Sequence, residues 1–309
     1  MKTSGFTDIH QHVLWGLDDG PKTPEQMRAL LAQNVQSGIS LIFATSHAYP
    51  KTRPFELELY RERLDEANAY CESQGWSLRV LSGCEIHYCD SVPDLLTAGR
   101  LPALGSSRHV LIEFDHDAAL SQIGEAADSL YRAGFQPVLA HVERYRCLVR
   151  SPRRAMEVRE EYGLIYQMNC ETVLRPAGLW ERRFAEKLIN ARAVDAIATD
   201  AHDTAQRPVR MREAYQQIAR QYGVRYAGRL VRFGRQLARE GIARGLDELC
   251  FTDHVDTIYW GSNEPRDSFD WDASMTQYLE AVDKFGDKLS IKLGAELGEA
   301  NLAFDRAEI

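Results

Sequence analysis

Six short apolar runs in the first two thirds of the chain each end on, or lead straight into, a side chain that binds metal ions. The run 6–10 closes on His10 and is followed by His12 and, one loop later, by Asp18 and Asp19. The run 39–45 precedes His47, 78–83 precedes Glu85, 109–113 ends on Glu113, 136–141 ends on His141, and 194–199 precedes Asp200 and His202. If those runs are parallel strands of one barrel, their last residues all arrive at the same rim. A chain with this pattern has few other folds in which imidazoles and carboxylates would recur at strand ends.

The segments between the runs support that reading. Residues 25–37, 54–74, 121–133 and 180–190 carry apolar residues at spacings of three and four, the period of a helix with one buried face. Thr23-Pro24 is a helix start, threonine capping and proline at the first position. Gly38, Gly75 and Gly134 fall where helices should stop. A seventh apolar run lies at 164–168. Repeated strand–helix units imply parallel strands with right-handed crossovers. Seven units predict an α/β fold, a distorted TIM-like (β/α)7 barrel whose chemistry sits at the carboxyl ends of the strands.

Composition narrows the class. A chain of 309 residues can bury a full core. A net charge of -8 argues against non-specific nucleic-acid binding. No apolar run is long enough to span a bilayer, and the N-terminus has no basic stretch before a hydrophobic one, so a cytoplasmic protein without membrane insertion is expected. The six cysteines form no C-x-x-C pair, which excludes a zinc ribbon.

The mixture of imidazole and carboxylate suits borderline divalent ions: manganese, with iron or zinc as alternatives. Carboxylates can bridge two such ions. Arg144 and Arg207 lie a few residues past His141 and His202, and a planar guanidinium there can make paired hydrogen bonds to phosphate oxygens. Tyr145 stands between two readings, a stacking surface for an aryl substrate or a structural rim residue. Cys147 to Arg153 fits the C-x5-R pattern of cysteine phosphatases, but the loop lacks glycine and holds Pro152, so coincidence is the expectation. The basic cluster Arg144, Arg146, Arg150, Arg153 and Arg154 is either a solvated helix face or a lure for an acidic tail.

Residues 1–223 resemble the PHP (polymerase and histidinol phosphatase) superfamily, and more closely the bacterial PHP-type protein tyrosine phosphatases of capsule and exopolysaccharide loci. The motifs D-I-H-x-H, D-D-G, T-S-H, G-x-E-I, L-I-E-F, A-H-x-E-R-Y, T-D-A-H and Q-R-P follow in order. The resemblance implies two or three divalent metal ions, with manganese first. It assigns His10, His12, Glu85 and Asp200 to one ion, Glu85, Glu113 and His141 to a second, and Asp19, His47 and His202 to a third. Asp18 is expected to be a loop residue. Arg144 and Arg207 are implied as the phosphate clamp, with Asp200 beside the reaction. The implied activity is hydrolysis of phosphotyrosine in protein by a metal-activated hydroxide, with the tail of a cognate bacterial tyrosine kinase as substrate and polysaccharide synthesis and export as the process regulated. Two alternatives stand beside it: a histidinol-phosphate phosphatase or other small-molecule phosphoesterase of the same superfamily, and a non-catalytic regulatory protein with a vestigial barrel. Oligomerisation is left open.

Residues 224–309 echo the start of the chain. The segment Gly245–His254 parallels Gly38–His47, and Gly294-Ala295-Glu296 parallels Gly83-Cys84-Glu85. A domain of residues 1–223 followed by an appended partial α/β repeat, 224–309, is therefore expected, with His254 and Glu296 left without metal partners.

Overall fold

The computed structural model describes residues 5–242, 248–256 and 290–298. They fall into two compact units, Gly5–Glu240 and one formed by the residues from Gly241 onward.

The first unit runs β1 (Phe6–Gln11), α1 (Pro24–Gln36), β2 (Ile39–Ala44), β3 (His47–Ala48), α2 (Leu57–Ser73), β4 (Arg79–Ser82), β5 (Glu85–His87), α3 (Val92–Thr97), β6 (His109–Glu113), α4 (Leu120–Arg132) and β7 (Gln136–Leu139). A single 3₁₀ turn, Val142–Arg144, leads to α5 (Arg146–Val149), α6 (Pro152–Glu161), β8 (Ile165–Asn169), α7 (Cys170–Leu174), α8 (Leu179–Asn190), β9 (Ala196–Ala198), α9 (Met211–Tyr222) and α10 (Val224–Ile242). Local chemistry sets the predicted helices: Thr23 Oγ1 accepts from Gln26 N–H at the start of α1, and Gly38 leaves that helix at φ +81°.

Every strand pair is parallel. Three strands join in the order β1-β2-β4 and six in the order β3-β5-β6-β7-β8-β9. β2 runs on into β3 and β4 into β5, so the two sheets share two staves. The ring closes where Gln11 bridges Ala201, with Asp200 N–H donating to the His10 carbonyl (2.9 Å) and His12 N–H to the Ala201 carbonyl (3.0 Å). Seven staves result, as the seven runs predict.

The staves break where β2 passes to β3 and β4 to β5. Tyr60 of α2 fills that break: its hydroxyl donates to the Ala44 carbonyl (2.8 Å) and accepts from Gly83 N–H (2.8 Å). The lumen is packed by Ile9, Phe43, Leu111, Val138, Ala140, Ala196 and Ala198, together with Leu237 of α10. Gly234 of that helix lies so close to β1 that a Cβ there would collide with the Thr7 and Ile9 side chains. α10 therefore plugs the barrel end opposite the ligand residues. The first unit runs on past residue 223 to Glu240: Tyr226, Ala227, Leu230 and Val231 join its main core, and Phe233 and Leu237 its lumen cluster.

In the second unit β10 (Glu248–Asp256) and β11 (Ser290–Gly298) pair in parallel from Glu248↔Ser290 to Asp256↔Gly298. His254 pairs with Glu296 as His47 pairs with Glu85, and Cys250 with Lys292 as Phe43 does with Leu81.

Candidate metal centre

The carboxyl ends of the staves bring together all nine residues expected to bind metal. Glu85, at the start of β5, lies in the middle: His10 Nε2 is 3.1 Å from its Oε2, His12 Nε2 and His47 Nδ1 are each 3.2 Å away, and His141 Nε2 is 2.8 Å from its Oε1. Glu113 faces His47 at 3.2 Å and His141 at 3.5 Å. Asp19 faces His202 at 3.2 Å and His47 at 3.5 Å. Asp200 Oδ1 lies 3.5 Å from His10 and 3.6 Å from His12.

Three sets converge tightly enough to share an ion: His12, Asp19, His47 and His202; His10, His12 and Glu85; and His47, Glu85 and Glu113. All three differ from the sets drawn from sequence: Asp200 is not part of the set with His10, His12 and Glu85. His12 also joins the set around Asp19, and His47 stands with Glu85 and Glu113, where His141 had been placed.

These residues fit a cation. His47 Nδ1 and His202 Nε2 are buried and lack hydrogen-bond geometry to any partner, although carboxylate oxygens lie 3.2 Å from each. His10 Nε2 and His12 Nε2 face each other at 3.3 Å with Glu85 and Asp200 beside them. Such atoms converge on a point between them, as ligands do. Burial opposes charge on Glu85, yet His10, His12 and His141 hold its carboxyl well below the usual range. Burial likewise opposes protonation of His141, but Glu113 and Glu85 outweigh it and lift the imidazole to about 9. The His202 imidazole 3.2 Å away draws Asp19 down to about 2. The acids are ionised, and Glu85 is compensated by imidazoles whose place a metal can take.

The backbone is strained at two of the candidate ligands. His141 has φ +34° and Asp200 φ +52°, left-handed values that non-glycine residues adopt at a cost. Both turns come two residues past a strand, β7 and β9, and swing the side chain into the mouth.

A layer behind the ligands fixes them. Gln167 Oε1 accepts from His141 N–H (2.8 Å) and pairs with His10 Nδ1 (3.0 Å). Asp18 pairs with His12 Nδ1 (2.8 Å) and accepts from His47 N–H (2.9 Å), so it orients ligands and is more than the loop residue expected. Asn169 Nδ2 donates to Asp200 Oδ2 at 2.8 Å. Asp8 accepts from Thr199 N–H (3.1 Å), the Thr199 hydroxyl and Gln11 Nε2 (2.9 Å), tying β1 to β9; burial lifts its carboxyl to about 6. Sequence reasoning missed Gln167 and Asn169. Their signal was faint: two amides at alternate positions of an apolar strand.

Asp200 divides its oxygens. While Oδ1 faces the imidazoles, Oδ2 accepts from Arg144 Nη2 (2.8 Å) and Arg207 Nη2 (3.0 Å). A cavity of about 140 Å³ opens there, lined by Arg144, Asn169, Asp200, Arg207 and Arg210. Tyr145, left between two readings, proves structural: it is fully buried and its hydroxyl accepts from Phe114 N–H (3.3 Å). Cys147 lies inside α5, and burial raises its thiol pKa, the opposite of what a nucleophile needs. Arg153 and Arg154 of the basic cluster turn onto Glu157 and Glu161. Cys71, Cys84, Cys89, Cys147 and Cys170 are free, and no described helix is long and apolar enough to cross a membrane.

A closed parallel barrel with an imidazole–carboxylate cage and two guanidiniums at the carboxyl ends of its strands defines a class, the metal-dependent barrel enzymes. Residues 6–237 match the model of the family described as capsular polysaccharide synthesis, CpsB/CapC, and the chain belongs to that family. It is 31% identical over 228 residues to tyrosine-protein phosphatase CpsB of Streptococcus pneumoniae, covering 72% of this chain and 93% of that protein. Tyrosine-protein phosphatase YwqE of Bacillus subtilis is 28% identical over 216 residues, 70% of this chain and 85% of that one. Among solved structures, a chain from the work on YwqE of Bacillus subtilis and CpsB of Streptococcus pneumoniae, described there as unique metal-dependent tyrosine phosphatases, superposes with a TM-score of 0.70 at 27% identity, covering 76% of this chain and 94% of that one.

Proposed function

We propose that this protein is a metal-dependent phosphatase that hydrolyses phosphotyrosine in protein. The observation that carries the proposal is Asp200, whose two oxygens join the imidazole cage to the Arg144–Arg207 pair. An anion on those guanidiniums lies against the ligand set. His10, His12, Glu85 and Asp200 would hold one ion, Glu85, Glu113, His47 and His141 a second, and Asp19, His47 and His202 a third. Two or three ions are supported by that many donors, with manganese preferred and iron or zinc next.

Divalent ions in that cage supply Lewis acidity toward phosphoryl oxygens and a nucleophile from water at neutral pH. The protein's own groups do the rest. Arg144 and Arg207 hold the non-bridging oxygens and stabilise charge that grows in the transition state. Gln167 and Asp18 fix ring orientation in His10 and His12. The leaving tyrosinate has a parent pKa near 10, so it departs with less proton donation than an alkoxide would need. No covalent intermediate on the protein is required. The substrate is read as the tail of a cognate bacterial tyrosine kinase, and the process as regulation of polysaccharide synthesis and export in the cytoplasm.

Metal analysis on the purified protein, joined to a substrate panel, tests the reading. Bound transition metal, turnover of a phosphotyrosine peptide and complete loss of that turnover with a chelator are expected. Full activity in metal-free protein would overturn the proposal. Preferred turnover of histidinol phosphate would replace the substrate and keep the chemistry.

A further inference from the structure

We propose that Tyr49 determines specificity by forming the platform on which the aryl leaving group lies; this rests on the phosphotyrosine reading above. Arg144 follows β7 and Arg207 follows β9, and both meet at Asp200. In a ring of seven staves, β3 and β5 are the pair farthest from the arc β7-β8-β9. A phosphoryl group held by the arginines and the cage therefore turns its ester oxygen toward β3 and β5. Tyr49 stands there, directly after β3. Its ring stacks on His47 (centroids 5.2 Å apart, planes at 29°) and tilts against His87 of β5 at 5.8 Å. The ring is half-buried, the Arg53 guanidinium lies 5.9 Å from its centroid, and its hydroxyl has no hydrogen-bond partner among the described residues. Beyond it a cavity of about 970 Å³, bordered by Lys51, His87, Tyr88, Phe114 and Asp115, leaves room for the polypeptide that carries the ring. Aromatic rings prefer offset or edge-to-face contact with one another, which a flat, anchored tyrosine offers and an alkyl ester cannot use.

The test uses the manganese-loaded full chain, a phosphotyrosine peptide, β-glycerophosphate as an alkyl ester, and inorganic phosphate as competitive inhibitor. Tyr49→Ala should lower kcat/KM for the peptide about 3- to 10-fold, chiefly through KM. Turnover of the alkyl ester and inhibition by phosphate should stay within about twofold. Tyr49→Phe keeps the ring and should restore peptide turnover. An equal loss on all three probes would mean that the ring only steadies His47, and the platform falls. Unchanged peptide turnover in Tyr49→Ala sinks it as well. A parent protein that already prefers the alkyl ester removes the phosphotyrosine reading, and the platform with it, before any variant is made.

Discussion

Gln167 shows how much of the centre depends on a residue that would touch neither metal nor substrate. Its carbonyl oxygen holds the His141 backbone and the His10 ring at once. Loss of an outer partner of a metal-binding histidine weakens metal affinity about 10- to 100-fold. Gln167→Leu, close in volume, should therefore fold and yet need about that much more manganese for half-maximal activity; an unchanged metal titration would show that the ligands orient themselves. Protons matter as well. With His141 at about 9 in the metal-free protein, against an ordinary 6.5, its charge stabilises the fold fully below pH 6.5, and that stabilisation is lost as pH rises through 9. Metal must displace the same proton, so metal affinity runs the other way. It should strengthen between pH 6.5 and 9, by up to about tenfold per pH unit for each proton released. Calorimetric metal titrations in buffers of different ionisation enthalpy would count those protons, and a count of zero would contradict the assignment.

At the scale of elements, the barrel works because two of its staves are interrupted. Where β2 gives way to β3 and β4 to β5, the ladder loses contact and the Tyr60 hydroxyl takes its place between Ala44 and Gly83. Tyr60→Phe leaves a buried carbonyl and a buried N–H without a partner. That costs about 1–3 kcal/mol, since the full desolvation of both groups is no longer offset. Urea unfolding should show a lower midpoint with an unchanged slope. Because His47 and Glu85 begin the strands just past the break, KM and metal affinity should shift too. β1 carries a second irregularity. Its register slips between Asp8 and Gln11, so that Asp8 and Gln11 both face outward and bond each other, while Ile9 packs in the lumen and His10 reaches the centre.

For the whole molecule, the deciding feature is the helix that follows Gly223. Leu237 belongs to the lumen cluster, Phe233 packs against it, and Gly234 admits the close approach to β1. A chain shortened after residue 223 exposes the floor of the barrel. It should lose cooperative unfolding, whereas a chain shortened after residue 242 should keep both its unfolding transition and its metal-dependent activity. Circular dichroism melts of the two would decide, and a stable, active 1–223 fragment would show that the plug is dispensable.

The sequence by itself determined the period of the chain and the chemistry of the rim. Alternating strand and helix patterns require parallel staves, and parallel staves deliver their last residues to one end; His10, His47, Glu85, Glu113, His141 and Asp200 were legible for that reason. Tertiary structure alone decided what depends on distance across the ring. Which imidazole shares which carboxylate, the slip in β1, the supporting amides Gln167 and Asn169, the burial of Tyr145 and the placement of Tyr49 beside His47 and His87 arise from contacts between segments remote in sequence. No local propensity encodes them. The plug was hidden for the same reason: α10 reads as an ordinary amphipathic helix, and only the closed barrel gives its apolar face a lumen to fill.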